Sequence, residues 1–162
     1  MALHVRPALP ADAEAIARVD ASGTRTLRAV YRPTPAAIAG GRALRAGCET
    51  LVAELDGELV GVVRLRGDGD GDGDGDDTLQ LFGLFVDEAH RRRGVARALV
   101  AAARERDYAR IALHTIAETG NVPIFERLGF VTVAVQPADD VIGDGPRTDV
   151  ALELRLRPDR PA

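Results

Sequence analysis

Lysine and tryptophan are absent from the 162 residues, and cysteine occurs once, at Cys48. One cysteine excludes an internal disulfide and any metal site built on several thiolates. With no His or Asn context around it, the Cys48 thiol reads as buried or incidental and not as a nucleophile. Aromatic residues make up only 4% of the chain, so the core must be built from Leu, Val, Ile and Ala. No stretch approaches the ~18 apolar residues of a membrane span, and the first residues, Met1 to Arg6, lack the apolar run of a secretory signal. The expected compartment is the cytoplasm, with no membrane partner.

What is present fits an ordinary globular protein: 46% apolar and 28% charged residues, in a length that suits one domain, expected over residues 3–157. The formal charge of −4 is local. Six of the 25 acidic residues lie in the run 67–77, and without them 19 acidic residues face 21 basic ones, a body of about +2. Nothing in that balance repels an anionic ligand.

Along the chain, residues 3–8 alternate as a short strand, and 10–19 follow as a helix that Asp12 can cap. A second helix spans 35–45, weakened by Gly40 and Gly41. Strands at 49–55 and 58–66 are joined by Asp56-Gly57, a hairpin signal. Residues 78–86 form an apolar strand, its alternation placing Gln80, Phe82, Leu84 and Val86 on one face. A helix of about a dozen residues begins near Val95, with Val95, Ala96, Leu99, Val100 and Ala103 as its apolar stripe. A strand at 110–115 comes next. Asn121 can cap a short helix that Gly129 ends, and strands at 131–136 and 149–156 complete the chain. The order βααβββαβαββ predicts an α/β or α+β sheet with helices packed on its faces.

The segment Arg91-Arg92-Arg93-Gly94-Val95-Ala96 lies between a strand's end and a helix's first turn. A helix start offers unpaired N–H groups and a positive dipole end. Small residues at 94 and 96 let an anion approach that backbone, and the arginines add charge. A pyrophosphate can be held this way without a metal. Three arginines could also be a solvated charge run or a nucleic-acid patch, but no aromatic platform or wider basic stripe accompanies them. No nucleic-acid partner is expected.

Leu84-Phe-Val-Asp-Glu-Ala-His-Arg-Arg-Arg-Gly-Val-Ala-Arg-Ala-Leu-Val100 resembles the acetyl-CoA signature of the GNAT N-acetyltransferases, Arg/Gln-x-x-Gly-x-Gly/Ala, matched by Arg91, Gly94 and Ala96. Asn121-Val-Pro-Ile-Phe-Glu-Arg-Leu-Gly-Phe130 is similar to the family's late helix. The resemblance implies a mixed, mostly antiparallel sheet of six to seven strands flanked by about four helices, with splayed central strands. It implies that Arg91, Arg92, Arg93, Gly94, Val95, Ala96 and Arg97 hold the pyrophosphate of acetyl-CoA. Leu84, Phe85 and Val86 would pair with the pantetheine arm like an added strand, and Asn121 and Phe125 would complete the cofactor site. The activity implied is acetyl transfer to an amine by direct attack in a ternary complex. The alternative is a non-catalytic acyl-CoA-binding sensor. Family habit favours a homodimer.

The proton-handling residues depart from the family pattern. Many members carry Tyr where this chain has Phe125, and Gln80 stands where some place a general base. His114 and Glu118 are the remaining candidates, each weighed against an ordinary structural role. The Asp-Gly run has Asp68, Asp70, Asp72 and Asp74 at calcium-loop spacing, but its twelfth position is Leu79 and not Glu. It reads as a flexible, self-repelling connection, and no metal is expected.

Overall fold

The computed structural model describes residues 2–68 and 77–158. The central part of the Asp-Gly run, with its expected flexibility and its calcium-like spacing, lies outside the described residues. In chain order the elements are β1 (Leu3–Pro7), α1 (Ala13–Arg28), β2 (Arg32–Pro33), α2 (Pro35–Arg45), β3 (Glu49–Leu55), β4 (Glu58–Asp68), β5 (Thr78–Val86), α3 (Val95–Arg104), β6 (Arg110–Ile116), α4 (Val122–Arg127), β7 (Val131–Pro137), β8 (Val141–Ile142) and β9 (Thr148–Arg155).

Seven strands form one sheet in the order β1-β3-β4-β5-β6-β9-β7, while β2 and β8 pair separately. Every pairing in the large sheet is antiparallel except β5 with β6. That parallel pair runs only from Thr78 opposite Arg110 to Gln80 opposite Ala112. Beyond it the two strands part, so the expected splay lies in the middle of the sheet.

Two apolar layers sandwich the sheet. On one face Val95, Leu99, Val100 and Ala103 of α3 are buried against Leu51, Val63 and Ile111, and each of the Val and Leu side chains contributes roughly 1.5–3 kcal/mol by leaving water. Their i, i+4, i+5, i+8 spacing makes one helix face. Gly61 of β4 is why α3 fits so closely, since a Cβ there would lie 2.6 Å from Val95 Cγ1. On the other face Val19 of α1 packs with Val52, Leu59 and Val62.

Several local expectations need correction. Helix α1 runs nine residues past Val19, to Arg28, because its interior Gly23 is a contact point and not a stop. A Cβ on Gly23 would fall 2.0 Å from Phe85 Cδ1. Asp12 does not cap α1 through its side chain. Its carboxylate accepts instead from the Leu9 N–H at 2.7 Å and from the Arg6 guanidinium at 2.7 Å. Asn121 likewise makes no side-chain cap. The hairpin turn at Asp56-Gly57 does form, with φ of 52° and 85°, values that suit the right-handed twist of the flanking strands.

The largest correction concerns β5. Val62 stands opposite Phe85 but Arg64 stands opposite Phe82, so between these pairs one residue of β4, Val63, faces two of β5, Gly83 and Leu84. The extra residue is a bulge at Gly83, whose φ is +58°. A bulge reverses side-chain alternation beyond it. Leu79, Leu81, Leu84 and Val86 consequently meet the α3 core, while Phe85 meets the α1 core. Gln80 and Phe82 do not share a face with Leu84 and Val86.

Candidate functional site

The splay opens a cavity of about 970 Å³, walled by β5 from Leu81 to Val86 and by β6 from Leu113 to Ile116. Its floor is the loop between β5 and α3. That loop is fixed from several sides: Asp87 N–H donates to Val60 O at 2.8 Å, Glu88 N–H donates to Ser22 Oγ at 3.3 Å, and His90 lies 2.8 Å from Asp87 and 3.7 Å from Glu58. His90 is thus part of a clamp and not a free surface histidine. Arg91 reaches back to Val86 O and to Thr26 Oγ1, tying the loop to both β5 and α1.

Arg92 and Gly94 both take left-handed backbone, at φ +62° and +80°. This turn starts α3 with Gly94 at the N-cap and no side chain capping it. The first helical bond runs from Ala98 N–H to Gly94 O at 3.0 Å, so the N–H groups of residues 95–97 have no partner within the helix. Around the position a Gly94 Cβ would occupy, nothing lies within 4 Å. The result is an open, amide-lined cradle beside arginines, which fits an anionic phosphate group. Asp87 N–H faces β4, and an extended chain alternates its N–H directions, so the Val86 N–H faces the slot.

Of the residues expected to hold cofactor, Leu84, Phe85, Val86, Arg91, Arg92, Gly94, Val95, Ala96, Arg97, Asn121 and Phe125 all line this cavity, and Arg93 does not. Phe125 presents an apolar ring, set edge-on to Phe130 at 5.9 Å.

The three catalytic candidates separate. His114 lines the cavity, its Nδ1 2.9 Å from Asp149 Oδ2. A carboxylate only accepts, so the His114 Nδ1–H is the donor of this bond. Asp149 also accepts from Gln136 Nε2 at 3.2 Å. Glu118 is not in the wall. Its carboxylate accepts from the Thr148 N–H at 3.0 Å and the Thr148 hydroxyl at 2.9 Å, and the Thr148 amide in particular holds it below the usual carboxylate range. Gln80 sits at the closed end of the splay, donating to Asp68 Oδ2 at 2.7 Å.

Sequence reasoning missed the roof. Thr34 N–H donates to Asp140 O, and Arg147 grips Val30 O at 3.0 and 2.8 Å, so β2 and β8 close over the α1 side of the cavity. Tyr31, Arg28 and Asp140 line it there. Burial pushes the Tyr31 phenol up, with Asp140 adding to the rise and Arg28 opposing it. Asp149 was also missed. It lies 35 residues from His114, and only the antiparallel register of β6 with β9 brings the two together.

The fold is shared with known proteins. Smu.2055 from Streptococcus mutans UA159 superposes with a TM-score of 0.74 at 20% identity, covering 95% of this chain and 99% of that one. YncA from Salmonella typhimurium, solved with its cofactor acetyl-CoA, gives 0.72 at 18% identity over 100% and 98%. The ribosomal-protein-alanine N-acetyltransferase of Brucella melitensis gives 0.66 at 21% identity over 94% and 99%. No curated protein matches the chain. The model of the acetyltransferase (GNAT) family matches residues 17–130, well over half of the chain, and the protein belongs to that family.

Proposed function

We propose that this acetyltransferase uses acetyl-CoA and acetylates an amine by direct attack while both are bound. The observation that carries the reading is that one continuous cavity of about 970 Å³ joins the open start of α3 to the His114–Asp149 pair. Acetyl-CoA would supply the thioester carbonyl and the thiolate that leaves. The cradle of residues 92–97 suits its pyrophosphate, and the outward N–H of Val86 suits a carbonyl oxygen gaining negative charge.

The chain's own groups then divide the proton work. Asp149 holds the His114 tautomer, leaving Nε2 free to take a proton from the amine directly or through water. Glu118, with both oxygens engaged, acts as a clamp on the start of β9. Phe125 offers no proton to the departing sulfur, so water must supply it. The acceptor lies on the roofed side, near Tyr31, Arg28 and Asp140.

The test is a pH–rate comparison. His114→Ala should lower kcat by about 10²–10⁴-fold, the usual worth of a general base, and flatten the fall in rate on acidification. Asp149→Asn should lower kcat in the same direction with acetyl-CoA affinity unchanged. Wild-type rates and an unchanged pH profile in both variants would remove His114 from the mechanism.

A further inference from the structure

Arg64 is a charged residue in the interior, only 6% exposed on β4, and it is not among the residues that line the cavity of the splay. Its guanidinium makes a two-pronged pair with Asp20 of α1, Nη1 to Oδ1 at 2.9 Å and Nη2 to Oδ2 at 2.6 Å. The same Nη1 lies 3.5 Å from Gly83 O. A Cβ on Gly83 would come within 2.8 Å of Nη1 and 3.2 Å of Cδ. The Arg64 side chain therefore lies directly against the backbone of the β5 bulge, and only glycine leaves room for it.

The place of that bulge matters. It follows the last β5–β6 pair, Gln80 with Ala112, and so stands where the splay begins. It also decides which way β5 faces beyond it. Without the extra residue, Leu84 and Val86 would turn from the α3 core to the α1 face and every backbone N–H past Gly83 would reverse. Helix α1 touches both flanks of the bulge, through Asp20 on Arg64 before it and through Gly23 against Phe85 after it.

We propose that the Asp20–Arg64 pair is a positioning device: it braces the Gly83 bulge from α1 and thereby fixes the slot edge of β5, including the Val86 N–H, for acetyl transfer. Stability alone is a poor reason for such a pair. A buried ion pair can often be replaced by apolar side chains of similar volume without loss of stability. What an apolar pair cannot do is hold a guanidinium against one carbonyl. The catalytic half of the proposal rests on the acetyl-transfer reading; the brace itself does not.

The experiment uses the paired variant Asp20→Leu/Arg64→Met in the full chain, with Asp20→Asn and Arg64→Lys beside it. Two quantities are read: amide hydrogen exchange at residues 83–86 and steady-state kinetics. The paired variant should keep a melting temperature close to wild type while residues 83–86 exchange faster. Its kcat should fall by about 10²-fold, the usual cost of reacting groups held about 1 Å out of place, with KM for acetyl-CoA little changed. Arg64→Lys, a point charge without the planar fork, should recover only part of kcat. Should the paired variant fail to fold, Asp20→Asn carries the same prediction in milder form. Wild-type exchange at residues 83–86 in a folded variant overturns the brace, and faster exchange with wild-type kcat overturns its catalytic role. A wild-type protein with no turnover on any amine sinks the function reading, while the exchange measurement still decides the brace.

Discussion

At the scale of single residues, the open cradle at the start of α3 makes the sharpest distinction. Arg92 lines the cavity and Arg93 does not, although the sequence presents them as equals. Arg92→Ala should weaken CoA binding by about 1–3 kcal/mol, as expected for a charge-assisted contact, and Arg93→Ala should change it far less; calorimetry decides. Gly94→Trp should abolish CoA binding by filling the space its missing side chain leaves open. Asp12 gives a pH prediction. Hydrogen bonds from Arg6 and then from the Leu9 amide lower its carboxyl from the ordinary 3.8 to about 2. A depressed carboxyl stabilises the fold above its unfolded value and loses that contribution as pH falls toward the folded one. Asp12→Asn should therefore melt below wild type at neutral pH, and the two melting curves should converge between about pH 4 and pH 2. A gap that stays constant over that window would contradict the linkage. The residues most legible in the sequence were those whose chemistry follows from neighbours in the chain: Gly94 and Ala96 at a helix start, and Asp56-Gly57 in a turn. Asp149 was illegible because its role depends on a strand register that only the folded sheet defines.

At the scale of elements, the strands and the apolar stripe of α3 follow from period and composition, as the buried Val95, Leu99, Val100 and Ala103 show. The failures share one physical cause, close approach between backbones. Gly23 lies beyond the expected end of the first helix at residue 19, yet it is an interior contact of α1 against Phe85, and Gly83 reads as one apolar-strand residue among others until Arg64 is seen beneath it. Alternation counted through Gly83 gives the wrong face for every later residue of β5, which is why Gln80 was grouped with Leu84 and Val86. Gly23→Ala tests the contact between α1 and β5. The added methyl cannot coexist with the Phe85 ring where it stands, so urea unfolding should show a loss of about 1–3 kcal/mol, the usual cost of overpacking. An unchanged midpoint would mean that the ring moves aside freely.

At the scale of the whole molecule, the strand order and the one parallel pairing make the splay, and the splay makes the cavity. That much was readable from the resemblance of two sequence blocks to the GNAT acetyltransferases, because the order of elements carries the sheet topology with it. The small β2–β8 sheet that roofs the α1 side of the cavity was not readable, since two-residue strands have no period. Among the described residues no helix is long and apolar enough to cross a membrane. Phe125 lines the cavity, and on the proposed reaction a hydroxyl in its place would assist thiolate departure. Phe125→Tyr should raise turnover where chemistry limits the rate, with acetyl-CoA affinity nearly unchanged. The most direct test of the whole account is to supply acetyl-CoA with a panel of amines and follow free thiol and acetylated amine together. The account predicts thiol release that requires an amine, matches the acetylated product one for one and disappears in Gly94→Trp. Tight acetyl-CoA binding with thiol release no faster in the presence of any amine than in its absence would contradict it.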